Sequence, residues 1–217
     1  MADVATARAP SDGRGSRRRG PATREEIHAA AVDLFARLGY HATSMRAIAA
    51  ATGIQPAAIY HWYPSKEALL VHLQDDFMDR LTDKVEAAMA AEERPALKLA
   101  AAVREHVVFH GLHPRAAFVT DSEIRALRPE ARKRLIAQRD AYQDVFVSAT
   151  EDGVADGSLR VSNARVAMYS TLLACTGVAL WFDALGPLTL EHVADLQVEL
   201  VLSSLGASPG LIAEAMA

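Results

Sequence analysis

Apolar positions recur at helical spacing along most of the chain. Ile27, Ala31, Leu34, Phe35 and Leu38 fall at i, i+4, i+7, i+8 and i+11, the stripe of a helix with one buried side. Thr23-x-x-Glu26 ahead of it has the spacing of a capping box, and Gly39 ends it. Ser44–Thr52 carries Met45, Ile48 and Ala49 on one face. Gly53 follows, where a helix C-terminus needs a residue at ease in the left-handed region. Gln55-Pro56 then opens another short helix, with Pro at a first turn that needs no backbone donor. Lys66 to about Glu93 reads as one long helix with Leu69, Leu70, Leu73, Phe77, Leu81, Val85 and Met89 on one side. Arg94-Pro95 breaks it, and Pro95–Gly111 forms the next helix. His113-Pro114 prevents continuation. Asp121–Leu127 is short, and Arg128-Pro129 opens a long helix to about Asp152. Gly153 and Gly157 mark a loop. Asn163 to about Leu185 is apolar on most faces and ends at Gly186-Pro187. Thr189–Leu205 is amphipathic, with Val193, Leu196, Leu200 and Val201 assigned to one face. Ser208-Pro209-Gly210 precedes a loose end.

Composition agrees with this pattern. The chain has 217 residues, room for one small and one larger domain. Good helix formers dominate, and strand-like Val/Ile/Thr runs are scarce, so the expected class is all-α. The single cysteine, Cys175, allows no internal disulfide and points to a reducing, cytoplasmic compartment. The longest strongly apolar run, Thr171–Phe182, falls short of the roughly 20 residues a bilayer span needs. No membrane partner is expected. The Arg-rich N-terminus lacks the apolar stretch of a secretory signal.

Charge is divided along the chain. Residues 1–66 hold nine Arg and Lys against five Asp and Glu, while the remainder holds fourteen against twenty-two. A positive end suits phosphates, and the acidic remainder does not. Residues 1–22, rich in Arg, Gly, Ser, Pro and Ala, have no core-forming pattern and are expected to be disordered. Arg14, Arg17, Arg18 and Arg19 there suit a minor-groove or phosphate-binding arm; a solubilising tail is the alternative.

The two short helices at Ser44–Tyr63, joined through Gly53, have the form of a helix-turn-helix, whose second helix enters the DNA major groove. The ordered set around them covers about Thr23 to Leu70. It comprises Phe35-x-x-x-Gly39-Tyr40, Thr43, Gly53-Ile54, Ile59-Tyr60 and Pro64-Ser65-Lys66-Glu67-Ala68-Leu69-Leu70. This run resembles the N-terminal domain of the TetR family of transcriptional regulators. The resemblance implies an all-α fold: a three-helix helix-turn-helix DNA-binding domain at 23–70 and a larger helical ligand-binding and dimerisation domain at 71–217, about nine helices.

The expected DNA-binding residues are Thr43, Ser44, Arg46, Gln55, Ala57, Ala58, Tyr60, His61, Trp62 and Lys66. Thr43 or Ser44 should cap the second helix, and hydroxyls with free N–H groups there suit a phosphate. Arg46 suits a phosphate or a base edge. Ala57 and Ala58 allow close approach, and Ala58 suits a thymine methyl. Tyr60 matches the family's phosphate-binding Tyr, and His61 suits a base or phosphate. Lys66 adds charge at a helix N-terminus that Ser65 should cap. Ala57 stands where the family often has Gly, and Trp62 where it often has His or Tyr. The alternative for Tyr60, His61 and Trp62 is an aromatic core.

The family resemblance also implies a homodimer through the last two helices, Asn163–Leu185 and Thr189–Leu205, and a cavity among the middle helices. Candidate lining residues are His106, Phe109, His110, Phe118, Tyr142, Phe146, Tyr169, Cys175 and Trp181, aromatic surface with a few polar tips. The alternative for each is ordinary core. The run from Trp181 to Glu191, WFDALGPLTLE, resembles the corresponding segment of TetR-family regulators that respond to acyl-CoA thioesters. Arg125, Arg128 and Arg132 would then suit the cofactor-like phosphates, with a solvated helix face as the alternative.

His106-x-x-x-His110-x-x-His113 invites a metal reading, but Gly111 and Pro114 interrupt the helix before His113. No nucleophile-base-acid set, phosphate loop or paired-cysteine motif points to an enzyme, and no cofactor is expected. The reading is a one-component regulator, most simply a repressor that binds a palindromic DNA operator as a dimer and is released by a small-molecule effector. A His-based metal sensor or helical metalloenzyme is the alternative.

Overall fold

A computed structural model describes residues 23–217, so the Arg-rich arm lies outside the described residues. The described chain is all-helical. It runs through α1 (Arg24–Leu38), α2 (Met45–Thr52), α3 (Pro56–Trp62), α4 (Lys66–Ala90), α5 (Pro95–Leu112) and α6 (Pro114–Ser122). After a 3₁₀ turn at Glu123–Ala126 come α7 (Pro129–Ala155), α8 (Ala164–Thr176), α9 (Val178–Trp181), α10 (Leu190–Ser204) and α11 (Pro209–Ala215).

Local chemistry sets the ends of the first helices. Thr23 and Glu26 form the reciprocal capping box, with Thr23 N donating to Glu26 at 2.9 Å and Glu26 N to Thr23 at 3.3 Å. Gly53 closes α2 at φ 71 and ψ 20, a left-handed conformation that side chains with a Cβ disfavour. Pro56 and Pro95 stand in first turns, where a missing N–H costs no helical bond.

Two apolar cores form. The first gathers Ile27 and Phe35 of α1, Ile48 of α2, Ile59 of α3 and Leu69 and Leu70 of α4. Val119 of α6, Leu127 just after the 3₁₀ turn and Leu135 of α7 complete it. The larger second core holds Phe77 and Leu81 of α4, Val103 and Phe109 of α5, Phe146 of α7, Met168 of α8 and Val198 of α10. The long helix α4 thus serves both. Where α5 crosses α10 the Leu190 side chain lies so close over Gly111 that a Cβ there would run into it.

Several boundaries differ from the sequence expectation. His113-Pro114 does interrupt α5, but Pro114 itself begins α6, so the short segment starts earlier than Asp121. The expected single helix over 163–185 divides into α8 and the one-turn α9 at Gly177. Phe182 then turns extended, and Asp183 accepts from Leu185 N at 2.9 Å, a side-chain bond that competes with helix. The window Ala164–Trp181 is apolar and long enough to cross a membrane by composition alone, yet the chain folds it as these two pieces. The end after Ser208 is ordered: Ser208 caps α11, Leu211 is buried, and Arg94 holds Glu214 at 2.7 Å. The apolar stripe of α10 is two stripes. Val193 and Val201 are buried, whereas Leu196 and Leu200 face outward.

Candidate functional site

α1 and α2 form a support, and α3 lies in front of it. Ile59 is the buried anchor of α3, and Gln55, Ala57, Ala58, Tyr60, His61 and Trp62 are all exposed. A seven-residue helix with one anchored side leaves its other faces to solvent. The aromatic-core alternative therefore fails for Tyr60, His61 and Trp62; Tyr40 and Tyr63 occupy that core instead. Ser44 and Arg46 on α2 are exposed alongside. Ser44 is the N-cap, its oxygen accepting from Ala47 N at 3.1 Å, which leaves its own proton free.

Two of the ten candidates are otherwise employed. Thr43 is buried, and its hydroxyl donates inward to the carbonyls of Gly39 at 2.9 Å and Leu34 at 3.2 Å. It locks the end of α1 to the start of α2 and presents nothing outward. Lys66 extends its ammonium to the carbonyls of Tyr40 at 2.6 Å, Thr43 at 2.7 Å and His41 at 3.3 Å. An ammonium has three protons, so all three are taken, and desolvation lowers its pKa. It ties down the α1–α2 turn. In exchange, a cation not singled out from sequence lies on this face. The Arg24 guanidinium sits over Trp62, 5.3 Å from the ring centroid.

The three N-terminal helices are braced to one another and fastened to the elements that follow. Tyr63, which ends α3, has its hydroxyl 2.5 Å from His28 Nε2 of α1. Asp33 pairs with Arg115 of α6 at 2.8 Å, and Glu123 accepts from Tyr40 N at 3.3 Å. Arg128 bonds Glu67 of α4 through its backbone N–H at 2.8 Å and its guanidinium at 2.6 Å. Of the three arginines suggested for cofactor phosphates, Arg128 is thus already paired.

Among the nine cavity candidates, three line one cavity. It has a volume of ≈ 110 Å³ and is bordered by His106 and His110 of α5 and Tyr142 of α7. Phe109, Phe146 and Cys175 are buried in core packing rather than at its wall. Burial pushes the Cys175 thiol up to about 12. Phe118, Tyr169 and Trp181 are surface residues. Phe118 instead borders an apolar groove of ≈ 320 Å³ with Leu173 and Leu180.

Much of the cavity wall is polar. The imidazoles of His106 and His110 stack with centroids 4.1 Å apart. His106 Nδ1 lies 2.7 Å from the Tyr142 hydroxyl, and Nε2 lies 3.0 Å from that of Thr176 on α8. His110 Nδ1 is 2.8 Å from the His106 carbonyl. Burial holds the pKa of His106 well below the usual imidazole value and takes that of His110 down to about 4. Across the cavity, Asp121 of α6 faces Arg139 of α7 at 3.7 Å. Burial raises the Asp121 carboxyl, opposed by Arg139, and Arg139 donates to the Thr120 carbonyl at 2.5 Å. Sequence spacing gave no signal for Asp121, Arg139 or Thr176.

This geometry does not favour the metal alternative. Both nitrogens of His106 are engaged with hydroxyls, and His113 points elsewhere, 3.4 Å from Arg80. Among the described residues no group of three or more His, Cys, Asp or Glu side chains is placed to hold an ion.

A short exposed helix held before two supporting helices, joined to a larger helical body with a polar-walled cavity, defines a helix-turn-helix regulator with an effector domain. Residues 27–73 match the family model of bacterial regulatory proteins of the tetR family, and residues 92–205 match that of the tetracyclin repressor-like C-terminal domain. The chain belongs to the TetR family of transcriptional regulators, a family of DNA-binding proteins rather than enzymes. It is 30% identical to the HTH-type transcriptional repressor KstR2 of Rhodococcus jostii over 86% of this chain and 92% of that one. A tetR-family regulatory protein from Rhodococcus RHA1 has the same fold with a TM-score of 0.80, at 27% identity, over 86% of this chain and 100% of that one. AibR, solved in complex with isovaleryl coenzyme A and operator DNA, is similar at a TM-score of 0.74 and 27% identity, over 81% of this chain and 96% of that one.

Proposed function

We propose that the chain is a repressor that binds a palindromic operator as a homodimer in the cytoplasm and is released by a small molecule, such as an acyl-CoA thioester. In this reading residues 23–70 bind DNA and residues 71–217 bind effector and partner. Ser44, Arg46, Gln55, Ala57, Ala58, Tyr60, His61 and Trp62 form the DNA-reading face, with Arg24 added. Thr43 and Lys66 position that face without touching DNA.

The observation that carries this reading is the placement of α6. Thr120 and Asp121 border the cavity, while the neighbouring Val119 is part of the reader's core. Arg115 holds Asp33 on α1 at 2.8 Å. A ligand that displaces α6 would therefore move α1 and the reader together, in addition to any motion along α4. Two readers must enter successive grooves, so a change in their separation of a few ångströms suffices.

Support for the dimer comes from outward apolar residues. Val166 and Leu173 of α8 and Leu200 of α10 are 62, 77 and 63% exposed, an apolar face that two copies could bury as a four-helix bundle. The similarity to AibR supports a thioester effector. The ≈ 110 Å³ cavity suits the acyl end alone, with the bulk of the molecule outside it.

The deciding experiment is a gel shift on DNA upstream of this protein's own gene, with competitor DNA and then with acyl-CoA thioesters. A discrete complex released by one thioester is expected. Coupling of about 1–3 kcal/mol must be reciprocal, so bound operator must weaken thioester binding by the same factor. Unchanged thioester affinity on operator-bound protein would sink the mechanism. Tyr60→Phe should weaken binding to all sequences, and Ala58→Leu should change sequence preference.

A further inference from the structure

The cavity wall has a proton inventory that identifies its ligand more closely. Neutral His106 has one N–H and one bare nitrogen, and each faces one hydroxyl, Tyr142 at 2.7 Å and Thr176 at 3.0 Å. The bare nitrogen takes the proton of one hydroxyl. The N–H donates to the other hydroxyl, whose own proton is left over. Either tautomer of His106 thus leaves one hydroxyl donor uncommitted. His110 supplies the complement. A backbone carbonyl only accepts, so His110 Nδ1, 2.8 Å from the His106 carbonyl, carries the proton. Its Nε2 is then a bare acceptor that takes no hydrogen bond from the described residues and lies open to the cavity. All four side chains border the same cavity, and His106 and His110 are 3 and 4% exposed.

We infer that this cavity takes the end of a ligand bearing a hydroxyl group, which donates to His110 Nε2 and accepts from Tyr142 or Thr176. The inference rests on the effector reading above and specifies the chemistry of the effector's buried end. A hydroxyl is both donor and acceptor, so it satisfies both groups at once. A ketone or ester oxygen accepts only and leaves Nε2 unpaired. An ordered water can satisfy the same pair in the empty protein, and a ligand hydroxyl reproduces the bonds of the water it displaces. Phe77, Met78, Leu81 and Leu172 add apolar wall beside the histidines, and Thr120, Asp121, Arg139 and Gln143 complete the lining. Asp121 and Arg139 face each other, so neither charge calls for a counter-charge on the ligand. The ligand end against the two histidines is therefore an uncharged group bearing a hydroxyl, rather than a carboxylate.

The test uses cyclopentanol and cyclopentanone, matched fragments suited to the cavity, titrated into the full-length protein by ligand-observed NMR. Cyclopentanol should bind about tenfold more tightly, because a bound ketone shuts water out of the cavity and leaves that acceptor unpaired. His110→Leu should bring the two to parity, and His110→Gln, which offers an amide oxygen, should restore part of the preference. Parity or a ketone preference in the unaltered protein overturns the inference, as does the absence of alcohol binding at the same site. The comparison in the unaltered protein decides the matter even if His110→Leu misfolds. An alcohol-to-ketone ratio near one leaves operator binding untouched, whereas failure of operator binding would overturn the regulator reading without altering that ratio.

Discussion

The reader and the body each contain a histidine bonded to a tyrosine, and the two pairs have different surroundings. In the reader, His28 Nε2 meets the Tyr63 hydroxyl at 2.5 Å, and His72 closes over both rings at 4.9 and 5.5 Å. In the body, His106 Nδ1 meets the Tyr142 hydroxyl at 2.7 Å, and its other nitrogen meets Thr176 beside a cavity. The first pair fastens α1 to the end of α3 and is only half-buried at His28. The second is buried at both residues and borders the cavity. A polar pair that ties two helices together serves position, and one that shares a cavity wall with the unpaired His110 Nε2 leaves hydrogen-bonding capacity for a ligand.

Acid should separate the two regions most strongly. Burial takes the pKa of His110 from an ordinary 6.5 to about 4. Below 6.5 the unfolded chain takes up a proton that the folded chain refuses, so stability is full above 6.5 and falls as pH drops towards 4. The loss across that window is on the order of 3 kcal/mol for His110 alone. His106 and, more weakly, His28 act in the same direction, since burial depresses both. Asp121, raised by burial, acts in the opposite direction. Urea unfolding at pH 7 and pH 5 should show the loss, and His110→Leu should reduce its pH dependence. An undiminished dependence in that variant would place the acid-sensitive group elsewhere.

Tyr142→Phe comes next. It removes the hydroxyl opposite His106 Nδ1 and leaves a buried imidazole nitrogen unpaired, at a cost of about 2 kcal/mol. Thermal unfolding should register it, while operator affinity of the ligand-free protein should stay near its original value. Thr43→Val should cost about 1 kcal/mol, because a buried hydroxyl loses two carbonyl partners while the shape is kept. Operator affinity should be unchanged in this variant. An equal loss of affinity for operator and non-operator DNA would show that Thr43 does hydrogen-bond a phosphate, against its inward placement.

The reader was more legible in the sequence than the cavity because its signals are local. Thr23 with Glu26, Gly53, Pro56 and the stripe Ile27–Leu38 each act within a few residues. Burial directions were harder. Thr43 and Ser44 are equivalent candidates by type, and only packing turns one inward and makes the other the cap. Lys66 was read from its place at a helix start, but its reach to the 40–43 turn depends on how α4 leans on α1. The cavity required contacts distant in sequence. His106 and Thr176 are 70 positions apart, and no spacing rule brings α8 to α5. Aromatic type alone placed Phe109 and Phe146 with the lining residues, since a core ring and a cavity ring look alike in sequence. The break at Gly177 was hidden because Gly within an apolar run is compatible with helix, and the competing bond from Asp183 lies beyond it.

The smallest expected effect tests the comparison most directly. Tyr63→Phe removes the same hydroxyl from a histidine as Tyr142→Phe, but His28 is half-buried where His106 is buried. Water can replace the lost partner at His28, so the cost should be about 0.5 kcal/mol, against about 2 kcal/mol at His106. The consequence for function should run the other way. His28 and Tyr63 set the angle between α1 and α3, so operator affinity should fall measurably in Tyr63→Phe, with little change in the fragment preference of the cavity. Measuring stability, operator affinity and fragment binding in both variants gives a crossed pattern if position and ligand binding are divided between the two pairs. Equal stability losses, or an operator defect confined to Tyr142→Phe, would show that burial of the pair does not separate the two roles.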